Sequence, residues 1–230
     1  MRGGHLRVHD ERVVARALGE RSHGQVVVAT KGGLQRPSGA WTRDARPAQL
    51  RGACERSLKA LGVERIDVYQ LHAPDPAVPF ESSVGELAKL RKEGKIAHVG
   101  LSNVSVAEID EACRILPIVS VQNRWNPEYR NPETDGVLAR CEKLGIAFLP
   151  YSPFGGASGA KGLAKVGTLA AEAKKRAVSP HRLVLAWMLA KSPVVIPIPG
   201  ARRIESIADS AQAADLVLSA EDVRAVEASF

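Results

Sequence analysis

Aromatic residues are scarce, 4% of 230, and there are only three cysteines. Cys54, Cys113 and Cys141 lie far apart, which excludes a small disulfide framework and any Cys-x-x-Cys metal or redox motif. They read as buried or half-buried thiols. Long apolar runs are also lacking: segments such as Val26-Val27-Val28-Ala29 and Val194-Val195-Ile196-Pro197-Ile198 fall far below the roughly 20 residues a bilayer span needs, so no membrane helix is expected. Behind the basic stretch Met1 to His9 no apolar run follows, so no secretory signal is legible and a cytoplasmic location is expected. Basic residues outnumber acidic ones, 32 to 25. The Arg and Lys residues are spread along helices, interleaved with Glu and not grouped with aromatics, which describes a solvated surface and not a nucleic-acid partner. What remains, 45% apolar and 25% charged residues, is enough for a substantial core, and no linker or repeat divides residues 1–230, so a single domain is expected.

Hydrophobic period organises the chain. Short Val/Ile-rich runs at residues 25–31, 66–72, 97–103, 118–123, 146–151 and 194–198 predict strands. They are apolar almost throughout, as in a parallel sheet covered on both faces. Between them, residues 47–61, 82–93, 105–116, 132–144 and 180–190 carry apolar positions at helical spacing and predict crossover helices, with a further helix at 10–18. Gly62 and Gly145 sit where helices stop, and Ser105 and Ser179 where N-caps belong. Repeated β-α units imply an open doubly wound sheet or a barrel. Gly-x-Gly-x-x-Gly is absent after the first strand, where Lys31-Gly32-Gly33-Leu34-Gln35-Arg36 stands, which disfavours the dinucleotide-binding open sheet. In a barrel the functional groups stand at the C-terminal ends of strands.

Those ends are polar: Lys31, His72, Ser102-Asn103, Gln122-Asn123, Tyr151-Ser152 and Gly200. Alone, a terminal Lys is usually a solvated charge and a His beside a Pro-rich loop a packed structural residue. Together on one rim, an ammonium and an imidazole can polarise a carbonyl or lower the pKa of a neighbouring hydroxyl. The carboxamides of Asn103 and Gln122 can bond another carboxamide, and Tyr151 offers an aromatic face. That set suits a nicotinamide ring.

In order and spacing, Val28-Ala29-Thr30-Lys31, Gln70-Leu71-His72-Ala73-Pro74-Asp75, Gly100-Leu101-Ser102-Asn103, Val121-Gln122-Asn123, Pro150-Tyr151-Ser152-Pro153 and Ile196-Pro197-Ile198-Pro199-Gly200 resemble the aldo-keto reductase superfamily, from about Asp10 to the C-terminus. The resemblance implies an α/β fold of the (β/α)8 TIM-barrel type. It further implies NADP(H)-dependent reduction of small aldehydes and ketones to alcohols by hydride transfer, with no metal. By position, Lys31 and His72 match the catalytic Lys and His. Ser102, Asn103 and Gln122 match the residues that hold the cofactor carboxamide, and Tyr151, followed by Ser152 and Pro153, matches the ring that stacks on the nicotinamide. Gly200, Arg202 and Arg203, ahead of a helix beginning near Ile204, match the 2′-phosphate site, where helix N–H groups and an Arg fork suit an anion. Asp209 and Ser210 stand where many members carry Glu-Asn against adenine. Residues 155–161, rich in glycine, lack the Gly-Lys-[Ser/Thr] of a P-loop and read as a loop, either folding over the pyrophosphate or simply on the surface.

The chain departs from the pattern at its start. The family's catalytic Asp and Tyr have no counterpart: the tyrosines Tyr69, Tyr129 and Tyr151 all follow Lys31, whereas the catalytic Tyr precedes the Lys by one helix. A closed barrel typically needs about 250 residues, and about six of its eight strands are found, so the barrel is expected to be N-terminally incomplete, without its first two β-α units. One reading is a working reductase lacking that segment, the other a catalytically impaired nucleotide-binding or regulatory homologue. Substrate choice is expected from residues 34–46 with Trp41, residues 125–131 with Trp125, and the C-terminal tail. Each Trp either lines an apolar carbonyl pocket or packs its own loop.

Overall fold

Gly62 and Gly145 end helices, and Ser105 and Ser179 cap them, where the sequence pattern places them, and the strands joined by crossover helices pair in parallel. The computed structural model describes residues 5–19, 26–37 and 39–230, and of residues 5–10 and Ala157 only the backbone. It divides into two compact units, Met1–Val121 and Gln122–Phe230.

In the first unit the elements are α1 (His5–Leu18), β1 (Ala29–Gly32), β2 (Leu34–Gln35), β3 (Thr42–Arg43), α2 (Pro47–Leu61), β4 (Ile66–Leu71), α3 (Phe80–Lys92), β5 (Ile96–Ser102), α4 (Val106–Ile115) and β6 (Ile118–Gln122), which reaches the boundary. The strands are ordered β1-β4-β5-β6. In the parallel β1–β4 pair Lys31 lies opposite Gln70, and in β4–β5 Gln70 lies opposite Gly100. Helices α2, α3 and α4 are the crossovers that parallel pairing demands. Pro47 opens α2, whose missing N–H costs nothing there, and Gly62 ends it at φ 71°. Ser105 caps α4 in a reciprocal box with Glu108. Leu50, Cys54, Val84, Leu87, Leu90, Val99, Leu101 and Ile109 are fully buried and form the core between helices and sheet.

The expected first strand is shorter than its apolar run. Pairing begins at Val28, whose carbonyl accepts from Val68 while its N–H donates to the Asp67 carboxylate at 2.9 Å. Val26 and Val27 are exposed, and Gln25 lies outside the described residues. An antiparallel hairpin, β2 with β3, follows β1 directly; no period longer than two residues announces it in the sequence.

The second unit contains α5 (Asn131–Thr134), α6 (Val137–Leu144), β7 (Ala147–Phe148), α7 (Gly156–Gly162), α8 (Gly167–Lys175), α9 (Pro180–Lys191), α10 (Ile204–Ala211) and α11 (Ala220–Glu227). The single helix expected at 132–144 is two, because Gly136 takes φ 84° and the Asp135 carboxylate accepts the N–H of Val137. The strands expected at 146–151 and 194–198 shrink to β7 and a bridged, extended segment. Phe148 exchanges hydrogen bonds with Val194 and Ile196, and Ile198 donates to the Pro150 carbonyl at 3.3 Å. Pro150, Pro193, Pro197 and Pro199 offer no N–H, so a continuous ladder cannot form. The glycine-rich stretch 155–161, expected as a loop, is mostly α7: Gly155 and Gly156 enter at φ 72° and 85°, and the small residues that follow take helical turns.

Candidate active site

Three neighbouring strands of the first unit deliver polar groups to their C-terminal ends. Lys31, next to last in β1, is half-buried, and His72 follows β4 with its N–H donated to the Gly32 carbonyl at 2.8 Å. Ser102 ends β5 with 1% exposure. Asn103, in the left-handed region at φ 58°, donates its side-chain N–H to the His72 carbonyl at 2.9 Å and to Ser102 Oγ at 3.1 Å. Asn tolerates that backbone better than most residues, and its two bonds tie the end of β5 to the turn that carries His72. Lys31, His72, Ser102 and Asn103 are therefore brought to adjacent strand ends.

Beneath them lies a residue the motif reading passed over. Gln70 is fully buried, on the register level of Lys31 and Gly100. Its side chain crosses β5 to donate to Ser120 Oγ of β6 at 3.0 Å. A methyl at Gly100 would collide with Ser120 Oγ and come within 2.9 Å of Gln70 Cγ, so the glycine leaves the space that Gln70 crosses. Among the described residues, the buried Gln70 Oε1 has no hydrogen-bond partner. The available signal was a carboxamide inside the apolar run Ile66 to Leu71. Tyr69, one residue away, is buried and donates its hydroxyl to the Leu50 carbonyl at 3.3 Å.

In the hairpin after β1, Trp41 stands 55% exposed with its ring 6.1 Å from that of His72, tilted 47°. The Arg36 guanidinium lies over the Trp41 indole at 4.8 Å. Of the two tryptophans considered for the substrate pocket, Trp41 adjoins His72. Trp125 instead is fully buried, packed on Trp187 at 5.2 Å and Phe148 at 6.0 Å, with its indole N–H on Glu133.

In the second unit Gln122 is the buried last residue of β6. The Tyr151 N–H donates to the Asn123 carbonyl at 3.1 Å, and the Trp125 N–H donates to the Tyr151 carbonyl at 3.4 Å. Tyr151 is half-buried; burial pushes its hydroxyl above the ordinary phenol value, against the pull of Arg124. Ser152 takes φ 54° and its carbonyl accepts from the Asn126 carboxamide at 3.0 Å; Pro153 beside it is buried. Gly200, Arg202 and Arg203 are exposed, Arg203 capping α10 with an extended backbone. Asp209 is drawn into the protein: Arg182 holds its Oδ1 with two donors at 3.0 and 2.7 Å, and the hydroxyl of Ser179, the cap of α9, bonds its Oδ2. Ser210 bonds its own helix at Ser206. Among the described residues no three His, Cys, Asp or Glu side chains gather as a metal-binding set, and no helix is long and apolar enough to cross a membrane.

The family model of the aldo/keto reductases matches residues 7–229. The chain belongs to the aldo/keto reductase family. An uncharacterized oxidoreductase of Schizosaccharomyces pombe is 43% identical over 198 residues, 85% of this chain and 63% of that protein, so the chain spans less than two thirds of this relative. Among solved structures, the glycerol dehydrogenase of Gluconobacter oxydans is 30% identical with a TM-score of 0.83, covering 96% of this chain and 77% of that one. An aldo-keto reductase of Klebsiella pneumoniae solved with NADPH is 26% identical with a TM-score of 0.80, covering 96% and 75%. The fold is thus of the α/β, TIM-barrel class of these reductases.

Proposed function

We propose that this aldo/keto reductase is an NADP(H)-dependent oxidoreductase that reduces small aldehydes and ketones to alcohols. The observation that carries the reading is the set Lys31, His72, Ser102 and Asn103 on the adjacent ends of β1, β4 and β5, with Asn103 bonded to the His72 carbonyl. Each unit by itself carries groups suited to part of a nicotinamide nucleotide: in the first, Ser102 and Asn103 offer a hydroxyl and a carboxamide for an amide; in the second, Gln122 offers a carboxamide, Tyr151 a ring, and Arg202 with Arg203 ahead of α10 two guanidiniums for a ribose phosphate. Two Klebsiella pneumoniae neighbours, solved with NADPH and with NADP and acetate, support the same ligand.

When bound, the cofactor supplies the hydride that reduces a carbonyl carbon. Lys31 contributes a positive charge and His72 a hydrogen bond that stabilise the oxygen as it becomes an alkoxide, which then takes its proton from water. Asn103 keeps the His72 turn in place. Tyr69, with its hydroxyl on Leu50 under Gly32, is not the proton donor.

The test is NADPH binding, followed by fluorescence, together with aldehyde-dependent NADPH consumption by the whole chain. Binding with turnover supports the reductase. Binding without turnover gives the second reading, a catalytically impaired nucleotide-binding homologue, and absence of both overturns the proposal.

A further inference from the structure

The hairpin formed by β2 and β3 carries more positive charge than its own fold uses. Arg36 donates Nε and Nη2 to the Gly39 carbonyl at 2.9 and 2.6 Å. These bonds hold the guanidinium plane over the Trp41 indole and leave Nη1 outside the pair. Among the described residues no carboxylate pairs with Arg36 or Arg43. The hairpin's one acid, Asp44, is spent: Arg46 takes both its oxygens at 2.8 Å, and Gln35 donates to it at 3.0 Å. Its carboxyl is held below the ordinary value chiefly by the hydrogen bond from Arg46.

Trp41 is the only exposed tryptophan of the three, since Trp125 and Trp187 are fully buried. An indole that is 55% exposed leaves apolar surface in water, and covering it with a flat apolar group is favourable at about 25 cal/mol per Å². A cation on an aromatic face is a preorganised pair, and an Arg already fixed by two bonds loses little freedom on gripping a carboxylate. His72, whose ring is 6.1 Å from the indole, is the residue assigned above to the carbonyl oxygen. The hairpin therefore sets an exposed indole beside a carbonyl-orienting imidazole, with an unneutralised guanidinium over the same indole.

We propose that Arg36 and Trp41 form a specificity subsite that selects carbonyl substrates with a planar apolar body and a carboxylate at the end remote from the carbonyl. The proposal rests on the reductase reading for the role of His72. The recognition itself stands on the hairpin alone.

The test compares para-carboxybenzaldehyde with its uncharged methyl ester. Both are titrated into the whole chain with tryptophan emission as the signal, so no turnover is needed. The acid is expected to quench the emission saturably and to bind at least about tenfold more tightly than the ester, the scale of one charge-assisted fork. Arg36→Gln, which keeps an amide donor for the Gly39 carbonyl, is expected to bring acid and ester within about twofold. Arg36→Lys, which keeps the charge and loses the fork, should retain part of the preference, and Trp41→Phe should remove the quench. Equal binding of acid and ester by the parent, or an acid preference unchanged in Arg36→Gln, overturns the subsite. NADPH binding is measured on the same samples: its absence overturns the reductase reading while leaving the acid preference standing, and aldehyde reduction with no acid preference does the reverse.

Discussion

Lys31, Gln70 and Gly100 occupy one register level across β1, β4 and β5, and each answers to a different single change. Lys31→Met removes the charge that the proposed reductase reading uses at the carbonyl oxygen. Turnover is expected to fall by at least about a hundredfold while NADPH affinity stays within about twofold, because the carboxamide and phosphate contacts assigned above lie elsewhere; joint loss of both would make Lys31 structural. Gly100→Ala puts a methyl against Ser120 Oγ and Gln70. Neither neighbour is a free side-chain end, since the two are bonded to each other, so overpacking of about 1–3 kcal/mol is expected in a urea melt. Arg202→Ala should weaken NADPH more than NADH, and equal weakening measured by titration refutes the phosphate role. The placement of Lys31 and His72 at the C-terminal ends of neighbouring strands was legible because each closes an apolar run. The role of Gln70 was not, since a carboxamide within a strand reads as a defect until its partner, 50 residues away, is known.

At the scale of elements, caps and breaks follow local rules. Ser105 accepts from the Glu108 N–H while the Glu108 carboxylate takes the Ser105 N–H and hydroxyl. Ser105→Ala is expected to cost about 1 kcal/mol, read as a lowered urea midpoint. Such caps are local, which is why α4 and α9 start where their serines predict. The hairpin and α7 were not legible for the opposite reason. Two-residue strands carry no usable period, and Gly155-Gly156 signals a turn without saying that a helix follows it.

Across the second unit, one charge network joins distant parts of the chain. Glu133 of α5 accepts from Arg130 at 2.7 and 2.6 Å, from the Trp125 indole at 3.0 Å and from Lys191 of α9 at 2.9 Å. Lys191 and Arg130 also meet Glu227 of α11, at 2.7 and 3.0 Å. Burial pushes the Glu133 carboxyl up, but the bonds from Arg130, Lys191 and Trp125 outweigh it and hold the group at about 2. Glu227 is also lowered, burial opposing and Lys191 prevailing. A carboxyl whose folded pKa is depressed adds stability that is complete above its unfolded value and lost as pH falls toward the folded one. Stability of the parent should therefore decline from the ordinary glutamate range, near 4.5, down to about 2. In Glu133→Gln that acid slope should be shallower, with roughly 2 kcal/mol lost at neutral pH from the weakened charge-assisted bonds. Urea midpoints across that pH range check both.

What the sequence determined by itself is the alternation of elements, their caps, and the polar residues that end each strand. These follow from period and local backbone chemistry, and parallel pairing then carries the ends of β1, β4 and β5 to one rim. What only the tertiary structure decided is which side chains meet. Trp41 stands beside His72 whereas Trp125 is sealed in a core, Asp209 is taken by Arg182 and Ser179, and Gln70 reaches across Gly100 to Ser120. Each of these partnerships joins residues far apart in the chain, and its geometry comes from strand register and helix packing, which no local window of sequence contains.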